Sequence, residues 1–266
     1  MLTSTLIYLC VVALCGAREV NKCTNSFIKN NFKYEKEILK DGLGSPYQLA
    51  INYNENMLFF SYSYVTKDGN NDFNSAYINL KSNEFGIISG IDGGFANAVD
   101  NENNKVYLGG SDGIYTFDPE SKTAQYFAAN GSDISQMFYK DKLYFTTTDA
   151  KAYTIEDGVS KEIPQLVGVE AKMVAVDKNN DLFFSNSSGL FKVVKEDLEF
   201  KGDHSVNGFS VDANGKLYFS TVYNVYVIDD TSDTIKTIFS KIVEDIDVYG
   251  IAIAGDNIIV SDRNKC

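Results

Sequence analysis

Short apolar runs alternate with tight polar turns along the whole chain, and the runs come in matched pairs. A first strand, a turn rich in Asn, Asp and Gly, and a second strand rich in Leu, Tyr and Phe recur six times. The copies are LAINYNENMLFFSYS from Leu49, NAVDNENNKVYLGGSDG from Asn97, QMFYKDKLYFTTTDA from Gln136, MVAVDKNNDLFFSNSSG from Met173, GFSVDANGKLYFSTVYN from Gly208 and GIAIAGDNIIVSDRN from Gly250. The first apolar residues of the second strands, Leu58, Val106, Leu143, Leu182, Leu217 and Ile258, mark a period of about 40 residues. Helical repeats of similar length would show apolar residues at i, i+3 and i+4, and no such stretch persists. Two further strands follow each pair, as in Gly113–Phe117 and Thr123–Phe127, so each unit reads as a four-stranded blade. The pattern predicts an all-β fold, a six-bladed β-propeller.

The sixth copy ends at Cys266, straight after its second strand, and lacks an outer half. Lys33–Leu39, KYEKEIL, alternates polar and apolar residues and is expected to supply it. Ring closure by N- and C-terminal strands would leave no long sheet edge open to unwanted pairing.

Met1–Ala17 has an apolar core from Leu6 to Leu14 and ends in the small residues Cys15-Gly16-Ala17, the pattern of a signal peptide, although it lacks an early Lys or Arg. Residues 18–266 are then expected to form a single secreted domain, because no Pro-rich, Ser-rich or single-sign charged stretch divides them. Cys23 and Cys266 outlast the leader, and two cysteines in an oxidising compartment favour one disulfide, here tying the two ends. Asn130-Gly131-Ser132 and Asn186-Ser187-Ser188 are N-glycosylation sequons, so Asn130 and Asn186 are candidate carriers. A net charge of −12 argues against nucleic acid and anionic membranes as partners, and equally suits simple solubility.

Candidate chemistry is scarce. His204 is the only histidine, it sits in a polar connection, and Ser-His-Asp or Cys-His sites need such a base. No zinc, phosphate-loop or dinucleotide motif is present, and no cofactor is expected. Alignment of the repeats places Tyr47, Gln48, Phe95, Asn97, Gln136, Met173, Asn207 and Tyr249 at the start of the inner strands, without an Asp or Glu among the aligned positions. Hard-metal coordination needs carboxylates, whereas aromatic and amide side chains suit a flat, mostly apolar ligand with a few oriented hydrogen bonds. These eight are the candidate ligand-binding residues; the alternative is that they merely fill the channel.

SPYQLA from Ser45, SAYINLKSNEFGIISGIDGGFANAVD from Ser75 and GGSDGIYTFD from Gly109 resemble the insect ommochrome-binding proteins. The likeness continues through QMFY at Gln136, MVAVDK at Met173, NSSG at Asn186 and GKLYFS at Gly215. More loosely, the repeat resembles six-bladed senescence-marker and gluconolactonase propellers, from whose acidic metal pattern this chain departs. The closer resemblance implies a haemolymph carrier that binds ommochromes, planar phenoxazinone pigments such as xanthommatin or an ommatin, without turnover, and a monomer is expected. Two other functions are open at this point: a metal-dependent lactone hydrolase, and a receptor-like or matrix module that offers a face to another protein.

Overall fold

In the computed structural model, residues 4–9, 26–29, 32–229, 234–240, 247–255 and 257–262 are described. Strands β1 (Ser4–Leu9), β2 (Ser26–Lys29) and β3 (Phe32–Ile38) precede the repeats. The first blade is β4 (Pro46–Asn52), β5 (Met57–Val65), β6 (Asn71–Asn79) and β7 (Phe85–Ile87). The second is β8 (Ala96–Asp100), β9 (Lys105–Gly109), β10 (Ile114–Asp118) and β11 (Thr123–Ala128). The third is β12 (Ile134–Lys140), β13 (Lys142–Thr147), β14 (Ala152–Glu156) and β15 (Val159–Glu162). The fourth is β16 (Met173–Val176), β17 (Leu182–Asn186), β18 (Gly189–Val194) and β19 (Asp197–Gly202). The fifth is β20 (Gly208–Val211), β21 (Leu217–Ser220), β22 (Asn224–Ile228) and β23 (Ile235–Ser240), and β24 (Val248–Ala254) and β25 (Asn257–Asp262) end the chain. The helical content of the described residues is one 3₁₀ turn, Pro164–Leu166.

The fold is an all-β propeller, but the expected six four-stranded blades are corrected to five. Each of the five is an antiparallel meander in chain order. The sixth repeat supplies only the hairpin β24–β25, and its sheet is a five-stranded composite in the order β2-β3-β1-β25-β24. Lys33–Leu39 does not pair with the last strand as expected. Instead β1, from within the expected leader, lies between them, parallel to β25 through Leu6↔Ile258 and parallel to β3 through Leu6↔Lys36. The reason is hydrogen bonding: the free edge of β25 takes whichever extended segment reaches it, and β1 is apolar enough to do so. Cys23 and Cys266 lie outside the described residues.

The repeat is legible in its turns. Each first hairpin of the five blades carries one residue in the left-handed region, Asn56, Asn104, Asp141, Asn180 and Gly215, and Gly255 serves β24–β25. In four blades an Asn or Asp at the end of the first strand accepts backbone N–H groups of the turn: Asn52 from Glu55, Asp100 from Glu102 and Asn103, Asp177 from Asn179 and Asp181, and Asp212 from Asn214 and Lys216.

The core lies between blades. β5 is apolar at consecutive positions because both its faces are covered: Leu58, Phe60 and Tyr62 pack with Ala252 and Ile259 of the last hairpin, while Met57 and Phe59 pack with Val106, Leu108 and Phe117 of the second blade. Equivalent clusters join the second blade to the third, the third to the fourth and the fourth to the fifth. The inner strands stand side by side around the axis, with β24 between β20 and β4.

Candidate functional site

Every inner strand starts on the same face, and there the axis opens into a cavity of about 630 Å³. Tyr47 and Gln48 come from β4, Phe95 from just before β8, Met173 from the start of β16, Asn207 from just before β20 and Tyr249 from β24; all six line it. Six of the eight candidate ligand-binding residues therefore converge. The volume falls within the ordinary range of small-molecule sites, about 300–1,000 Å³.

One wall is aromatic. Tyr47 is in contact with Phe95 at 5.4 Å between ring centroids and meets Tyr249 edge-to-face at 5.4 Å. Phe73 packs behind both Tyr47 and Phe95, at 5.7 and 4.7 Å. Phe73 reaches this site because β5 and β6 pair along nine residues each, carrying their hairpin past the rim of the other blades. All four rings are half-buried, and Tyr47, Phe95 and Tyr249 present aromatic surface to the cavity.

Asn97 and Gln136, the other two candidates, do not line this cavity. Both are buried, each at 3% exposure, and both hold neighbouring strands together. Gln136 Nε2 donates to the Val174 carbonyl at 3.1 Å while its Oε1 accepts the Val174 N–H at 3.0 Å, bridging the third and fourth blades. Asn97 Nδ2 donates to the Gln48 carbonyl at 2.9 Å. That carbonyl belongs to a bulge in β4, where the register shifts between Tyr47 and Ala50 and Gln48 takes φ 50°. Asn207 lines the cavity and also stitches, its Nδ2 donating to the Val248 carbonyl at 2.7 Å. The amides satisfy backbone groups that the gaps between inner strands would otherwise strand.

The opposite wall is polar and charged, and comes from residues not among the candidates. It holds Ser135, Thr147, Thr148, Asp149, Glu170 and Lys172. Thr147 and Asp149 belong to the β13–β14 turn, and their only mark in the sequence was the position of TTTDA at the end of a second strand, on the face where first strands begin. Asp149 accepts from the Thr147 hydroxyl and pairs with Lys151 at 2.7 Å; those two partners hold its carboxyl below the usual carboxylate range.

Below the cavity the axis narrows to a space of about 60 Å³ among Leu49, Ala50, Asn97, Ala98, Phe138 and Ser210. Tyr53 crosses the far end, its hydroxyl within hydrogen-bonding distance of the carbonyls of Val211 at 2.9 Å and Ile253 at 2.8 Å. Burial, with the Asp212 carboxylate nearby, pushes that phenol well above its ordinary range and keeps it a donor. The axis is thus a cup. Beyond Tyr53, a recess of about 490 Å³ is lined by turn residues such as Asn54, Glu102, Asp141 and Asn214, without a comparable aromatic wall.

His204 is not a solvated loop histidine. Its ring packs on Phe219 at 5.3 Å and Tyr226 at 4.9 Å, in the outer part of the fifth blade. Both sequons lie at the cavity face: Asn130 is exposed between β11 and β12, and Asn186 ends β17 with its Oδ1 accepting the Ser188 N–H at 2.8 Å. Among the described residues no group of three or more His, Cys, Asp or Glu is gathered to hold a metal, and no helix is long and apolar enough to cross a membrane.

An ommochrome-binding protein of Manduca sexta is 39% identical to this chain over 248 residues, covering 90% of this chain and 88% of its own. The chain belongs to the ommochrome-binding protein family. No family model matches the chain. Solved structures place this family member among propellers. A Bacteroides thetaiotaomicron protein of unknown function aligns at a TM-score of 0.62 with 14% identity, over 83% of this chain and 67% of that one. A Xanthomonas campestris gluconolactonase aligns at 0.59 with 13% identity, over 84% and 85%. Virginiamycin B lyase of Staphylococcus aureus aligns at 0.55 with 13% identity, over 83% and 92%. Identities this low speak to the fold of the family and not to its chemistry.

Proposed function

We propose that the chain is a non-enzymatic carrier that holds one ommochrome-type pigment, non-covalently, in the cup at the axis. The observation that carries this reading is the half-buried cluster of Tyr47, Phe73, Phe95 and Tyr249 at a cavity of about 630 Å³. Three aromatic side chains left partly open at a concave site, with Phe73 behind two of them, cost hydrophobic burial unless a ligand covers them, and a fused planar ring system has the shape to do so. Family membership points to the same ligand class. The lactone hydrolase reading gains only a shared fold from the gluconolactonase likeness.

The carrier works as a secreted monomer in haemolymph, without a cofactor. Leader removal after Ala17 would take β1 from the edge of β25, and a Cys23–Cys266 disulfide would tie the two ends of the mature chain. Glycans on Asn130 and Asn186 would stand at the rim of the cup.

Titration of the secreted protein with xanthommatin is the direct test. The expected result is a shift of the pigment's visible absorption that saturates near equimolar pigment; a flat titration overturns the reading. Mass spectrometry of the same material, expected to show Arg18 as the first residue, no free thiol and glycosylated sequons, tests the processing.

A further inference from the structure

The two walls of the cup differ in kind. The aromatic wall comes from the first, second and last repeats, and the wall facing it presents Glu170 and Lys172 on the segment leading into β16. Among the described residues lining the cavity, Lys172 is the one cation. Its backbone is anchored twice, the N–H donating to the Ser185 carbonyl at 2.8 Å and the carbonyl accepting from Thr146 Oγ1 at 2.8 Å. Glu170 is steadied by the Ser187 hydroxyl, which donates to Oε2 at 2.9 Å. Between them the Ala171 N–H donates to the Ala150 carbonyl at 2.8 Å, which joins this segment to the turn that carries Asp149. The bases of these charged side chains are therefore rigid.

Their mutual pairing is loose. Lys172 Nζ stands 3.4 Å from Glu170 Oε1, and the two side chains are 55% and 44% exposed. Such a solvent-screened pair contributes little and opens readily. A ligand group that brings one negative and one positive charge can replace it charge for charge, leaving neither side chain unpaired once the cavity is covered. A purely anionic group would leave Glu170 facing it, and a purely cationic group would leave Lys172.

We infer that the cup is built for an aromatic ligand bearing a zwitterionic α-amino-acid arm, its rings against Tyr47, Phe95 and Tyr249, its carboxylate on Lys172 and its ammonium on Glu170. This rests on the cup being the pigment site, and it assigns a specificity to one wall of it.

The test compares two probes: xanthommatin, which carries such an arm, and 2-aminophenoxazin-3-one, which keeps the phenoxazinone core without an arm. The quantity read is the ratio of their affinities. Lys172→Met and Glu170→Gln are each expected to lower the preference for xanthommatin by about tenfold or more, the effect of losing one charge-assisted hydrogen bond. Lys172→Arg is expected to keep most of it. Both sites are exposed, and an unchanged melting temperature shows that the variants fold. An unchanged ratio in Lys172→Met overturns the inference and leaves the pigment site standing. Failure of the unsubstituted protein to bind either probe overturns both.

Discussion

Tyr47 and Tyr249, from the first and last repeats, meet edge-to-face with ring centroids 5.4 Å apart. Only closure of the ring brings these two rings together, so the aromatic wall and the closure are one structural fact. Tyr47→Leu keeps apolar bulk and removes the ring that touches Phe73, Phe95 and Tyr249 at once. Pigment affinity is expected to fall by about tenfold while the melting temperature changes little, since an aromatic contact adds about 0.5–1.5 kcal/mol beyond the area it buries and the ligand loses a stacking face as well. Absorbance titration and thermal denaturation of the same variant check this.

Gln136 is expected to behave in the opposite way. Gln136→Ala leaves the Val174 N–H and carbonyl without their side-chain partner between two blades. A buried polar group left unpaired costs about 1–3 kcal/mol, so a clear loss in urea stability is expected, with pigment affinity close to that of the parent. A variant that loses affinity and keeps stability would return Gln136 to the cavity.

Gly44 marks a close approach before β4. A Cβ built there lies 1.7 Å from the Ser63 carbonyl oxygen, a backbone atom that cannot turn aside, and the adjacent Ser63 N–H donates to the Ser45 carbonyl. Gly44→Ala is expected to lower stability by about 1–3 kcal/mol, as overpacking does. Thermal denaturation measures it, and the neighbouring Gly42, with nothing within 4 Å of a built Cβ but φ 69°, is expected to cost less.

His204 gives the fold a pH dependence. Its burial against Phe219 and Tyr226 lowers the pKa of the folded state below the ordinary 6.5, although the Asp203 carboxylate opposes the shift. As pH falls, the unfolded chain therefore takes up this proton first. The contribution of His204 is full above pH 6.5 and declines as the pH drops below it. Melting temperatures recorded from pH 7.5 down to 5.5 are expected to fall, and His204→Gln is expected to flatten that part of the profile. An unchanged slope in the variant would show that other groups carry it.

How much of this was legible from the residues depends on range. The repeat and its hairpin turns follow from the local alternation of short apolar strands with polar turns and from the backbone freedom of Asn and Gly, so they could be read along the chain. The convergence of Tyr47, Gln48, Phe95, Met173, Asn207 and Tyr249 followed from repeat alignment alone, because equivalent positions in blades around one axis must share a face. Asn97 and Gln136 defeated the same alignment. A buried amide at an inner strand can serve a ligand or the next strand's backbone, and the spacing between blades, which no local pattern encodes, decides for the backbone.

The last sheet and the charged wall likewise belong to tertiary structure. That the sixth repeat needs outside strands was apparent from its truncation. Which strand fills the edge of β25 depends on what can reach it, and β1 rather than β3 does so here. Asp149 and Glu170 come from a turn and a connection whose course is set by the blades they join, so their facing of the aromatic wall was invisible in one dimension, whereas Lys172 stands directly before β16 as Phe95 stands before β8 and Asn207 before β20. Sequence by itself determined the propeller and the places of Tyr47, Phe95, Lys172 and Tyr249 in the cup, since these recur with the blades; Phe73, the turn-borne part of the polar wall and the closing sheet were decided by contacts between segments that no period relates.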